Sequence, residues 1–204
     1  MCAGAFIGLS VGRTPPEPGR RHRLAVVEQT FLAVEGGGPL RVPALVDADG
    51  AAFASGRLQG HWSLIFFGFT ACPTVCPTTL QALSAVARDP GSGVSSGATQ
   101  IVFVSLDPER DTPPRMKSYL AHFGGSILGL TGRRDAVDRF RAEVGAGSWM
   151  SGSRVDHSTS LFVLDSHGRL AGILLRPADP ARILADLTTL RTSAVDAKRV
   201  SLAQ

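Results

Sequence analysis

Residues 62–80 read WSLIFFGFTACPTVCPTTL. The first part is an apolar run interrupted only by Ser63 and closed by glycine and threonine, the pattern of a central strand buried on both faces. The chain then crosses a short loop carrying Cys72 and Cys76, each followed by proline. Pro77 suits the first position of a helix, with Cys76 as its N-cap and Leu80, Leu83 and Ala87 along one face. A buried strand feeding directly into a helix predicts an α/β layered fold.

The same alternation continues downstream. IVFVSL (101–106) reads as a second buried strand. DPERDTPP (107–114) turns the chain into a helix whose Met116, Tyr119, Leu120 and Phe123 recur at helical spacing. Within that turn Asp107 and Asp111 are expected to order the loop and cap the helix beginning at Pro113. A short strand near Ser126–Leu130 precedes a helix with Val137, Phe140 and Val144 inward. TSLFVLD, the turn SHG and RLAGILL (159–175) predict a hairpin, and DPARILADLTTLR (179–191) a closing amphipathic helix capped by Asp179. Upstream, LRVPALVDADGAAF (40–53) reads as a hairpin around a D-A-D-G turn. The expected architecture is a central mixed β-sheet flanked by helices, with an N-terminal hairpin. Residues 1–23 are read as a tail and linker, 24–191 as one domain and 192–204 as a C-terminal tail.

Composition narrows the function classes. At 204 residues, with 44% hydrophobic and 19% charged side chains, the chain is a folded protein with a sizeable core rather than a disordered one. Its net charge of +4 owes much to the ends, where Arg20, Arg21, Arg23, Lys198 and Arg199 read as solvated flanks. A nucleic-acid surface would need a basic patch with stacking aromatics. No G-x-G-x-x-G or G-x-x-x-x-G-K-[ST] phosphate loop is present. Three cysteines cannot build a disulfide scaffold, and a chain of this size needs none. The opening MCAGAFIGLSVG is too short to span a bilayer, which takes about 20 residues, and lacks a basic leader region. It reads either as a short disordered start or as the end of an export or anchor segment, with Cys2 outside the chemistry.

Cys72 and Cys76 carry the chemistry. A helix N-terminus offers free N–H groups and partial positive charge, which favour thiolate over thiol. That serves a redox nucleophile and a soft-metal ligand equally well. The spacing is C-x-x-x-C, one residue longer than the thioredoxin-type C-x-x-C, and the C-x-x-C-H of heme attachment is absent. Structural zinc normally takes four Cys or His ligands, and only two cysteines are local. A third ligand therefore matters. His22 falls in the linker, His61 at the far end of the central strand, His122 on an outer helix face and His167 in a hairpin turn. His157, in RVDHSTSLFVLD (154–165), stands just before an apolar strand.

Taken together, GFTACPTVCPTTL, VSLDPERDTP, LGLTG and VDHSTSLFVLDSHGR, in this order, strongly resemble the Sco/SenC family of copper proteins, over roughly residues 36–191. The resemblance implies a thioredoxin-like fold, a copper ion, Cu(I) or Cu(II), held by Cys72, Cys76 and His157, and a role as a metallochaperone in assembly of cytochrome c oxidase. It implies as partners the copper-binding subunit of the oxidase and another copper chaperone, a monomeric state, and a periplasmic or extracytoplasmic location at the inner membrane. Where thioredoxin-like redox enzymes carry a cis-proline, this chain offers Asp156-His157-Ser158, which would replace a peptide clamp by a metal ligand. Asp156 is a candidate to orient that ring. The sequence departs from the family pattern at Thr74, where an acidic residue is common, and at Ser153, where an aromatic is common. A thiol-disulfide oxidoreductase that cycles Cys72 and Cys76, and a copper or redox sensor, are the competing readings.

Overall fold

The computed structural model describes residues 23–28, 31–35, 38–146, 160–175 and 177–202. Its strands are Arg23–Glu28 (β1), Phe31–Glu35 (β2), Leu45–Asp47 (β3), Ala52–Phe53 (β4), Trp62–Gly68 (β5), Thr99–Ser105 (β6), Ile127–Gly132 (β7), Leu161–Leu164 (β8) and Leu170–Leu174 (β9). Its α-helices are Val75–Arg88 (α1), Pro113–Ala121 (α2), Arg134–Glu143 (α3) and Pro180–Leu202 (α4). One mixed sheet runs β1-β2-β9-β8-β5-β6-β7-β3-β4. The β5–β6 and β6–β7 pairs are parallel and the others antiparallel.

The largely apolar character of β5 and β6 is explained by their place at the centre, with helices over both faces. Successive side chains alternate between the two layers. Leu64, Phe66, Ile101 and Phe103 face one core, shared with Leu80 and Leu83 of α1, Met116 and Leu120 of α2, and Ile183 and Leu187 of α4. Ile65, Phe67, Val102 and Val104 face the other, shared with Val137 and Phe140 of α3 and with Phe53 and Leu58 from the β3–β4 side. The D-A-D-G hairpin forms as read from the sequence. Asp47 Oδ1 accepts the N–H groups of Asp49 and Ala51 at 3.1 and 3.0 Å, and its Oδ2 accepts Arg57 Nη1 at 2.9 Å. Asp179 caps α4 through the N–H of Ala181 at 3.0 Å.

Three boundaries differ from expectation. Helix α1 begins at Val75, with Thr74 as N-cap, so Cys76 lies inside the first turn and Pro77 at its third position. Proline is tolerated there because first-turn N–H groups have no helical acceptor. Helix α4 continues past Arg191 to Leu202, through residues expected to form a tail; no proline or glycine stands between them. Hairpin β1–β2 extends the sheet beyond β9, with Phe31 opposite Leu174, and begins at Arg23 in what was read as linker.

This topology gathers three chain segments at one edge. Gly68 and Ser105, the last residues of β5 and β6, are register partners. Leu161, the first residue of β8, pairs with Phe66. The loops leaving β5 and β6 and the start of β8 therefore share the carboxyl end of the parallel strands, where α/β sheets present their sites.

Candidate functional site

The loop after β5 tightens at once: the N–H of Cys72 donates to the carbonyl of Phe69 at 3.2 Å. Thr74, the N-cap of α1, makes no side-chain cap. The first turn finds its acceptor elsewhere, because the N–H of Cys76 donates to Sγ of Cys72 at 3.4 Å. Both cysteines are buried free thiols on the α1/α2/α4 side of the sheet.

Their surroundings make the two sulfurs unequal. Burial pushes the Cys72 thiol up, but hydrogen bonds from the N–H and thiol of Cys76 and from the N–H groups of Thr74 and Val75 outweigh it and hold it below the ordinary cysteine value. Burial pushes the Cys76 thiol up to about 12; a hydrogen bond with the Phe69 backbone opposes this, while the neighbouring charges of Cys72 and Asp111 add to it. One sulfur is set up as the thiolate and its neighbour as the proton-holding thiol.

An aromatic wall stands behind them. The rings of Phe66 and Phe103 lie 6.0 Å apart, those of Phe103 and Tyr119 6.2 Å, and those of Tyr119 and Phe123 5.3 Å. The Tyr119 hydroxyl is buried without a hydrogen-bond partner. Burial, then the negative charges of Cys76, Cys72 and Asp111, push this phenol up to about 12.

Beside the loop lies a carboxylate that sequence reasoning placed elsewhere. Asp107 does order the turn, its carbonyl accepting the N–H groups of Arg110 and Asp111 at 3.1 and 2.9 Å. Asp111 does not cap α2; the N-cap is Thr112. Its buried carboxylate accepts Thr70 N–H at 3.0 Å, Thr70 Oγ1 at 2.6 Å and Ser105 Oγ at 2.7 Å. The reason is in the next residues: Pro113 and Pro114 lack the N–H groups a cap would accept. Proline at those two positions was the signal that could have redirected the reading.

Of the histidines, His61 contacts the carbonyl of Arg57 at 2.9 Å next to Trp62, at the opposite end of β5 from the cysteines. His122 is exposed, its Nδ1 3.1 Å from the Tyr119 carbonyl. His167 is exposed in the β8–β9 turn. Cys2, His22, Ser153, Asp156 and His157 lie outside the described residues. Among the described residues no third Cys, His, Asp or Glu joins the pair in a metal-binding group, and no helix is long and apolar enough to cross a membrane.

Comparison with known proteins places this arrangement. The chain is 35% identical over 142 residues to the SCO2-like protein RP587 of Rickettsia prowazekii, a match covering 65% of this chain and 66% of the relative. It is 32% identical over 171 residues to the mitochondrial SCO2 homolog of Bos taurus, covering 81% of this chain and 61% of the relative. The chain thus spans under two thirds of the length of these relatives. Among solved structures, copper-bound yeast Sco1 superposes with a TM-score of 0.66 at 30% identity, covering 78% of this chain and 96% of that one. The fold is thioredoxin-like, as the resemblance implied. The SCO1/SenC family model matches residues 43–192, a span that takes in the dithiol loop, the Asp111 turn and the β8–β9 hairpin, and the chain belongs to the SCO1/SenC family.

Proposed function

We propose that this chain is a copper metallochaperone, holding one copper ion as cargo through Cys72, Cys76 and His157 and delivering it to the copper-binding subunit of cytochrome c oxidase. The observation that carries the reading is the placement of Cys72 Sγ against the first N–H groups of α1, 3.4 Å from the amide of Cys76. It favours the thiolate of Cys72 over its thiol, and thiolates are the ligands that select Cu(I). Family membership and the copper bound to yeast Sco1 support the choice of metal. His157 is four residues before Leu161, a chain reach of at most about 14 Å, and Leu161 pairs with Phe66 beside the dithiol loop. An added imidazole would give a set able to accept Cu(II) as well. A three-ligand site lets an incoming thiolate join before a resident ligand leaves, so transfer can proceed stepwise.

The inequality of the two sulfurs favours a second reading, a thiol-disulfide reductase. The Cys72 thiolate would attack a target disulfide, giving a mixed disulfide and a released target thiolate. Cys76, on losing its proton, would then attack Cys72 Sγ and release the second target thiolate, leaving Cys72 and Cys76 oxidised. Anaerobic titration with Cu(I) against a competing chelator decides the first reading. One ion per chain is expected, with tight binding abolished in Cys72→Ser and in Cys76→Ser. Wild-type affinity in either variant would exclude the proposed site.

A further inference from the structure

Asp111 belongs neither to the dithiol nor to its loop, yet its bonds end on that loop. The carboxylate is 1% exposed and accepts three hydrogen bonds, two of them from Thr70, two residues before Cys72. The third comes from Ser105, whose own Oγ also accepts the N–H of Asp107. From outside, Arg115 Nε donates to Thr70 Oγ1 at 2.9 Å. Thr70 is thereby fixed on its backbone and its side chain at once, against the ends of both β6 and α2. A half-buried loop threonine does not need a buried charged acceptor for stability alone, since burying a carboxylate costs free energy that its hydrogen bonds must offset.

We propose that Asp111 is a positioning residue for the dithiol: through Thr70 it sets the height of the Cys72 loop against the N-terminus of α1, and with it the affinity for copper. The copper part of this inference rests on the ligand set proposed above. The positioning part does not.

The full chain is compared as wild type, Asp111→Asn, Thr70→Val and Thr70→Ser. The first readout needs no metal: amide hydrogen exchange at Cys76, whose N–H donates to Cys72 Sγ. Asp111→Asn and Thr70→Val should lose protection at Cys76 while amides within β5 and β6 keep theirs. Thr70→Ser, which retains the hydroxyl, should match wild type. The second readout is Cu(I) affinity against a competing chelator. A loss of about 10–100-fold is expected for Asp111→Asn, a smaller loss for Thr70→Val and none for Thr70→Ser. Should Asp111→Asn fail to fold, the Thr70 pair carries the comparison. Equal Cys76 protection in Thr70→Val and Thr70→Ser overturns the positioning role, whatever copper does. Wild-type protein that binds no copper overturns the metallochaperone reading instead, and the exchange data then still decide for or against Asp111.

Discussion

Gly68 and Cys76 approach so closely that a Cβ built on Gly68 would stand 2.8 Å from the Cys76 sulfur. The same Cβ would lie 2.8 Å from Phe103 Cε2 and 3.3 Å from Phe66 Cε1. The last residue of β5 is therefore glycine for lack of room, and the sulfur rests directly on the end of the strand. Gly68→Ala must displace the sulfur or the rings. We expect a loss of about 1–3 kcal/mol in stability, read by urea unfolding, with weakened Cu(I) binding. A variant as stable as wild type with unchanged copper affinity would show that the contact is not constraining.

The two thiols should separate in a timed alkylation followed by mass spectrometry. Cys72, held below the ordinary cysteine value by burial-opposing amide bonds, is expected to react first, its rate rising with pH to a plateau reached earlier than for an unperturbed cysteine. Cys76, pushed up to about 12, should remain thiol across the neutral range and lag behind. Equal rates, or Cys76 reacting first, would contradict the site as described.

His157 separates the two functional readings. In His157→Ala both thiols keep their place at α1, so reduction of a model disulfide should stay near wild type. Cu(I), which tolerates two thiolates, should weaken modestly, whereas Cu(II) should be lost, with disappearance of its thiolate charge-transfer absorption. The variant should also fail to metallate the oxidase copper site. Normal metallation by His157→Ala, combined with failure of Cys72→Ser, would hand the function to the reductase.

Asp47 gives a stability test remote from the dithiol. Burial pushes its carboxyl up, but Arg57 and the N–H groups of Ala51 and Asp49 outweigh this and hold it below the ordinary carboxylate range. Its folded-state value is thus below the unfolded one. The stabilisation is complete above the unfolded carboxylate value and is lost as pH falls through the folded one. Asp47→Asn should cost about 1–3 kcal/mol at neutral pH and flatten the acid limb of the stability profile. Parallel acid limbs for variant and wild type would count against the assignment.

The sequence made the interior of the sheet legible because β5 and β6 are apolar on both faces, a pattern few other environments impose. It located Cys72 and Cys76 because two Cys-Pro units at a strand-to-helix junction have little packing rationale. Hairpin β1–β2 escaped because Glu28 to Phe31 offers no glycine, proline or asparagine turn signal, and because it joins the rest of the sheet through the pairing of β2 with β9, far along the chain. Asp111 escaped for a related reason. Its partners are 41 residues upstream at Thr70 and 6 upstream at Ser105, and local reading assigned it to the nearest helix.

The bond from Cys76 N–H to Cys72 Sγ ties a helix end to an oxidation state. That lone pair can be shared with an amide, donated to a metal or consumed in a sulfur–sulfur bond, and each use leaves the first turn of α1 differently supported. Linkage runs both ways: whatever stiffens the start of α1 alters the sulfur, and whatever reacts with the sulfur alters the start of α1. The reactivity of Cys72 and the order of the first turn of α1 are thus one property measured in two ways.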